Sequence, residues 1–282
     1  MKYQNITYSH EHPRIDLSVG KNDPDCLLNG YLDCIDELKD IRAKGVTRWV
    51  DCSNHGIGVD WQNNKKIFEE VGIEIINSTG FYKTPFMPDY VSTASVEELA
   101  QIMLEDIAKG AKVIGEIGTS KNEWTNDEHK VFEATVIAQK KTNVVIITHL
   151  GTLIKEQVDF FLENGINPKK VIISHVALSN DLDAIRYALQ KGFNVAFDTI
   201  GKTKYLPDET RVQFMKTLIQ EGYMHQLLMS MDITRQSHLK KNGGVGYAYL
   251  LDTFIPMLEQ AGISEDTITT ITAKNFTEIL EA

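Results

Sequence analysis

Residues 6–12 read Ile-Thr-Tyr-Ser-His-Glu-His, a short β-branched and aromatic run that breaks off into two histidines one residue apart. The same construction recurs along the chain. Short apolar runs lie at Ile6–Tyr8, Val46–Val50, Ile73–Ser78, Val113–Ile117, Val144–Thr148, Val171–Ser174, Asn194–Phe197 and Leu227–Met231. Each has the length and the β-branched content of a strand buried on both faces. Segments with helical periodicity separate them, among them Leu27–Lys44, Val96–Lys109, Asp127–Lys141, Gln157–Glu163, Leu182–Lys191, Glu209–Glu221 and Tyr247–Gln260. Some stop at a glycine, as at Gly165 and Gly192, where a left-handed cap is needed before the next strand. Strands alternating with helices predict a parallel sheet, and eight such units predict an α/β protein closed into a (β/α)8 TIM barrel. An open doubly wound sheet is the alternative, but no glycine-rich phosphate fingerprint follows the first strand. No linker or break in composition divides the chain, so residues 1–282 are expected to form a single domain.

Composition narrows the class. The chain has 282 residues, 42% of them hydrophobic and 24% charged, enough to bury a large core without covalent staples. A formal net charge of −10 repels phosphate backbones, so nucleic acid is not an expected partner. Three cysteines, Cys26, Cys34 and Cys52, are an odd number with no CxxC pair, which suits a reducing cytoplasm. The first dozen residues hold no apolar leader, and no run reaches the 18 or so apolar residues of a spanning helix. The expectation is a soluble cytoplasmic protein without a membrane partner.

The polar residues fall in an ordered way. The first run ends in Ser9-His10-Glu11-His12, the second in Asp51 and the fourth in Glu116. His149, His175, Asp198 and Asp232 end the fifth to eighth. In a closed barrel the C-terminal ends of all strands converge on one face, so these distant residues become neighbours. Strand residues two apart point the same way, which aims His10 and His12 together at the barrel mouth. A His-x-His pair alone is a weak sign, and Asp51 and Asp198 read as structural strand ends. His-x-His, Glu, His, His and Asp appearing in order at strand ends together predict a metal site.

At these residues the sequence resembles the phosphotriesterase family of the amidohydrolase superfamily, on the branch of the phosphotriesterase homology proteins. The motifs are SHEHPRID, GEIGTS, ITHLGT, VIISHVALSND, FDTIGK and SMDITRQSHLKKNGGVGY, and they span nearly the whole chain. The resemblance implies two divalent metal ions, zinc first, with manganese, cobalt or nickel as alternatives. One would be held by His10, His12 and Asp232, the other by His149 and His175. Glu116 would bridge them where many relatives use a carboxylated lysine. Asp232 would also act catalytically, taking a proton from the attacking water and passing it to the leaving group.

Tyr82 lies where lactone-hydrolysing relatives place a tyrosine near the metals. Arg235, Lys240 and Lys241 with Gly243 form a basic, glycine-bearing loop after the last strand. That loop is either a cradle for a substrate phosphate or carboxylate, or a solvated loop paired with local acids. Lys202 admits the same two readings, and His238 is a candidate pocket residue. His55, His129 and His225 stand apart from the ligand set.

The expected activity is hydrolysis of a small polar or phosphorylated sugar lactone, with weak phosphotriesterase activity beside it; a homodimer is a family-level expectation. Two alternatives stand at this point. One is a metal-dependent phosphodiesterase like the TatD-type deoxyribonucleases, which share the ligand types. The other is a barrel that binds a metabolite without turnover. The acidic charge and the SMDITRQSHLKKNGG stretch argue against the nuclease, and the presence of every expected ligand argues against the barrel without turnover.

Overall fold

The computed structural model describes residues 2–121, 123–149 and 153–282, with backbone alone for 30–32. Leu150, Gly151 and Thr152, the second half of the ITHLGT motif, lie outside the described residues. The barrel strands are β1 (Ile6–Glu11), β2 (Val46–Asp51), β3 (Glu74–Ile76, continued by Ser78–Thr79), β4 (Val113–Gly118), β5 (Val145–His149), β6 (Val171–Ile173), β7 (Asn194–Phe197) and β8 (Leu227–Met229). The connecting helices are α1 (Gly30–Ala43), α2 (Trp61–Val71), α3 (Val96–Lys109), α4 (Asn126–Thr142), α5 (Ile154–Glu163), α6 (Leu182–Gln190) and α7 (Asp208–Gln220).

All ladders between these strands are parallel, and each joins neighbours in sequence. Strand β3 carries the sheet across a break at Asn77: Glu74–Ile76 pair with β2, and Ser78–Thr79 pair with β4. The ring closes between β8 and β1 in a different manner. Ser9 Oγ donates to the Met229 carbonyl (3.2 Å), and the His10 amide donates to Ser230 Oγ (3.3 Å). Among the described residues no backbone ladder joins these two strands.

The (β/α)8 architecture expected from sequence is therefore present, and period-2 alternation explains what it does with the strand ends. One buried cluster gathers Val50, Ile76, Val113, Val145, Ile147, Ile172, Ala196 and Leu228, with Phe276 and Ile279 of the C-terminal helix Asn275–Glu281. Two residues on from Ile147 comes His149, from Ala196 comes Asp198, and from Leu228 comes Ser230, with Asp232 two further on. Each inward row is thus apolar at the bottom of the barrel and polar at its mouth. A second, larger cluster seals the strands against the helices. Helices α3 and α4 each start on a capping box, Ser95 with Glu98 and Thr125 with Glu128, which fixes the loops that precede them.

Candidate metal centre

The centre is built around Glu116. Gly115 precedes it at φ +152, and a Cβ there would collide with the Ile147 carbonyl, so β4 tolerates only glycine at this approach to β5. The Glu116 amide donates to the Cys52 carbonyl (3.3 Å), and Asn54 Nδ2 donates to the Glu116 carbonyl (2.7 Å). Held in this way, the carboxylate meets four imidazoles. Its Oε2 lies 3.3 Å from His10 Nε2, 3.2 Å from His175 Nε2 and 2.6 Å from His149 Nδ1, and its Oε1 lies 3.2 Å from His12 Nε2. Asp232 Oδ1 stands 3.5 Å from His12 Nε2 and 4.0 Å from His10 Nε2.

The hydrogens on the imidazoles can be assigned from their outer partners. Ser53 Oγ donates to the Arg14 carbonyl (2.5 Å), so it must accept from His12 Nδ1 (3.0 Å). His10 Nδ1 faces Ser174 Oγ (3.2 Å) and Asp198 Oδ2 (3.4 Å), and His175 Nδ1 faces Asp198 Oδ1 (2.8 Å). With Nδ1 carrying a hydrogen, all three turn Nε2 inward, where its lone pair can serve a cation once any proton on it has left. The Nε2 atoms of His10 and His12 are fully buried yet hydrogen-bonded to nothing, although carboxylate oxygens stand within 3.3 Å. Orphaned imidazole nitrogens converging on two carboxylates are what a borderline divalent cation needs. The donor set therefore fits a metal. Two groups have ligand atoms all close to one another: His10, Glu116 and His175, and His10, His12 and Asp232. His149 joins the first group through its contacts with Glu116 and with His175 Nε2 (2.9 Å).

The electrostatics suit a cation. Burial opposes the ionisation of Glu116, but the surrounding imidazoles, His149 first, outweigh it and hold the carboxyl well below its usual range. Burial likewise opposes the charge on Asp232, and the Lys202 ammonium and His175 keep it far below the ordinary carboxylate value. Burial would lower His12, but Asp232 and Glu116 more than offset it and lift it to about 9. His175 is raised well above its usual value against burial, chiefly by Asp198. For His149 burial prevails, assisted by neighbouring cations, and the value falls to about 4.

Two of the candidate ligands are held in the left-handed region, His175 at φ 57 and Asp232 at φ 50. The other non-glycine residues at positive φ among those described are all asparagines, which tolerate it. For a histidine or an aspartate the conformation costs about 1–2 kcal/mol, and here buried carboxylates hold it. Asp198 Oδ1 accepts the His175 amide (2.9 Å). Glu11 Oε1 accepts the Met231 amide and Ser230 Oγ (both 2.6 Å), and its Oε2 accepts the Ile233 amide (3.3 Å), so it grips both sides of Asp232. Glu11 lies between the two histidines of the SHEH motif, and sequence reading gave it no role; its position between two ligands was the available signal.

The remaining expected residues divide. Tyr82 is buried beside the centre, its hydroxyl 2.9 Å from His149 Nε2. Lys202 Nζ contacts Asp232 Oδ2 directly. Lys202 and His238 line a cavity of about 230 Å³ with Ile200, Met231, Ile233 and Val245. The basic loop turns the other way. Arg235 pairs with Asp23 (2.5 Å) and Asp25 (3.4 Å), Lys241 with Asp33 (3.0 Å), and the Lys240 amide donates to Glu37 (2.7 Å). Gly243 caps that turn at φ 87. Asp51 accepts from the Ser53 amide (2.8 Å) and Asn64 Nδ2 (2.8 Å), a structural role. His55 pairs with Asp106 (2.7 Å), away from the centre.

Comparison with known proteins identifies the family. The sequence profile of the phosphotriesterase family matches residues 4–280. The phosphotriesterase homology protein of Escherichia coli is 40% identical over 278 residues, 95% of each chain. A crystal structure of that protein with phosphate in its active site superposes with a TM-score of 0.95, at 38% identity, covering 98% of this chain and 99% of the other. The aryldialkylphosphatase of Saccharolobus solfataricus is 28% identical over 96% of this chain and 93% of its own. The N-acetyltaurine hydrolase of Bos taurus is 30% identical over 85% of this chain and 74% of its own. This chain belongs to the phosphotriesterase family, a family of hydrolases.

Proposed function

We propose that this protein is a two-metal hydrolase of lactones, acting on a small polar or phosphorylated sugar lactone, with phosphotriesters as poor substrates. The observation that carries the reading is the Tyr82 hydroxyl, brought to 2.9 Å from His149 at the edge of the ligand cluster. It sits where a donor can meet the carbonyl oxygen of a bound ester. His10, His12 and Asp232 would hold one cation, His149 and His175 the other, with Glu116 between them; zinc is the first choice, then manganese, cobalt and nickel. Such ions supply Lewis acidity, lowering the pKa of water and polarising the scissile carbonyl.

The protein's own groups do the rest. Asp232 has one oxygen towards the imidazoles and the other against Lys202, so it can accept the proton of the attacking water and return it to the departing alkoxide. Lys202 keeps Asp232 ionised for that role. The adjoining cavity, walled by Ile200, Met231, Ile233 and Val245, admits a compact substrate and excludes bulk water from one side. The three cysteines are free and buried, which suits a reducing cytoplasm. Among the described residues no helix is long and apolar enough to cross a membrane.

The relatives' names point to different substrates, so the test is a panel. Protein loaded with zinc or manganese is assayed by proton release on sugar lactones with and without a phosphate, and Asp232→Asn serves as the blank. Turnover that disappears in the variant is the expected result. No turnover of any lactone by protein holding two metals per chain would overturn the reading.

A further inference from the structure

Lys83 follows Tyr82 in the loop after β3, and its stem lies against Gly118. A Cβ added at Gly118 would stand 3.1 Å from Lys83 Cβ, 3.2 Å from its Cδ and 3.1 Å from His149 Cβ. The lysine therefore runs beside a residue of the metal centre, with Nζ 5.8 Å from the centre of the Tyr82 ring. It is only partly exposed, yet among the described residues no carboxylate lies within ion-pair distance of its ammonium.

The acids that act on it are occupied elsewhere. Glu116 is surrounded by imidazoles. Glu128 accepts from Ser120 Oγ (2.7 Å), the Thr125 amide (2.9 Å) and the Thr84 amide (3.3 Å). A second cation stands near. Lys21 belongs to the turn Ser18–Lys21, whose Gly20 is pressed so closely on the Phe86 ring that no Cβ would fit, and Phe86 in turn packs on Tyr82. Burial lowers the pKa of Lys83 and Lys21 adds to the shift, while the charges of Glu128 and Glu116, neither within ion-pair distance, oppose it without cancelling it. In a chain of net charge −10, a half-buried ammonium with no carboxylate at ion-pair distance among the described residues leaves a place for an anion from outside the chain.

We infer that Lys83 binds an anionic substituent of the substrate, a carboxylate or a phosphate, at the β3 side of the mouth. The inference rests on the lactonase reading for the identity of the reacting group, but not for the anion itself. It also separates the anion site from the 235–241 loop, where Arg235 and Lys241 already face Asp23, Asp25 and Asp33.

The test uses metal-loaded protein and three five-membered lactones: neutral, carboxylate-bearing and phosphate-bearing. Binding of their ring-opened products is measured beside turnover. A charge-assisted contact in a partly buried site corresponds to about 10- to 100-fold tighter binding of an anionic product over the neutral one. Lys83→Met is expected to erase that preference while leaving the neutral compound's binding and the metal content unchanged, and Lys83→Arg to restore most of it. Whichever anion loses more in Lys83→Met identifies the headgroup. A preference that survives Lys83→Met, or wild-type protein that does not distinguish the compounds, overturns the inference. If no lactone is hydrolysed while the product preference still depends on Lys83, the lactone reading fails and the anion site stands.

Discussion

Asp198 Oδ1 accepts two hydrogen bonds from one residue, the main-chain amide (2.9 Å) and the Nδ1 (2.8 Å) of His175. One oxygen thereby fixes both the left-handed backbone of His175 and the tautomer of its ring. Asp198→Ala frees both. Outer partners of ligating histidines typically contribute about 10- to 100-fold in metal affinity, and a loss of that size is expected in chelator competition. An unchanged affinity would show that His175 holds its orientation without Asp198.

Glu11 yields a prediction in which sign matters. Burial raises its pKa to about 7 in the folded chain, against 4.5 ordinarily, with the hydrogen bonds from Ser230 and Met231 opposing the rise. The folded state then keeps a proton that the unfolded chain has released. As pH rises from about 4.5 to about 7, this group removes stability from the metal-free protein, on the order of 3 kcal/mol in full. Glu11→Gln has no such titration, so its stability relative to wild type should improve between pH 5 and pH 8 in urea melts with chelator present. A constant difference across that range would refute the assignment.

Metal loading should release protons. In the metal-free chain His12, lifted to about 9, carries its extra proton at pH 7.5, and Asp198 shifts His175 in the same direction. A cation can take their Nε2 lone pairs only once those protons have left. Calorimetric titration with zinc in two buffers of different ionisation enthalpy should show net proton release, larger at pH 7.5 than at pH 9.5. Equal heats in both buffers would mean that the imidazoles are neutral beforehand.

Tyr82→Phe removes one hydroxyl and little else, because the ring remains packed on Phe86 and His149. Loss of a single donor aimed at a developing oxyanion costs about 10²- to 10³-fold in kcat, with metal content retained. If kcat holds and KM alone rises, the hydroxyl serves in binding only.

Much of this centre could be read in the sequence, because a strand's alternation is local. An apolar row ending in His149, Asp198 or Asp232 announces its own inward face, and the period of two carries the prediction to the mouth. Helix α3 was bounded correctly, and its capping box is written in Ser95 and Glu98. What sequence could not give depends on partners far along the chain. The role of Glu11 exists only because Ser230 and Met231 lie beside it, 219 and 220 residues away. Lys83 draws attention only once Glu128 is seen to be occupied by Ser120, Thr84 and Thr125. Helix α2 was not among the segments named, its buried Ile67, Phe68 and Val71 following a polar first turn, Gln62-Asn63-Asn64. The segment read as a helix from Tyr247 begins at Leu250 with a π-turn. Tyr247 serves instead as a strut, accepting from Tyr8 through its carbonyl and donating to the His12 carbonyl through its hydroxyl.

The β8–β1 junction gives the centre a mechanical meaning. Seven joints of the cylinder are backbone ladders, and the eighth is stitched by hydrogen bonds through the side chains of Ser9, Ser230 and Glu11. His10 and His12 stand on one lip of that seam and Asp232 on the other. An ion held by these three residues would act as a rivet between the lips. Filling the centre and fastening the cylinder would then be one equilibrium, and a chelator that emptied it would also loosen the wall from which Asp232 projects.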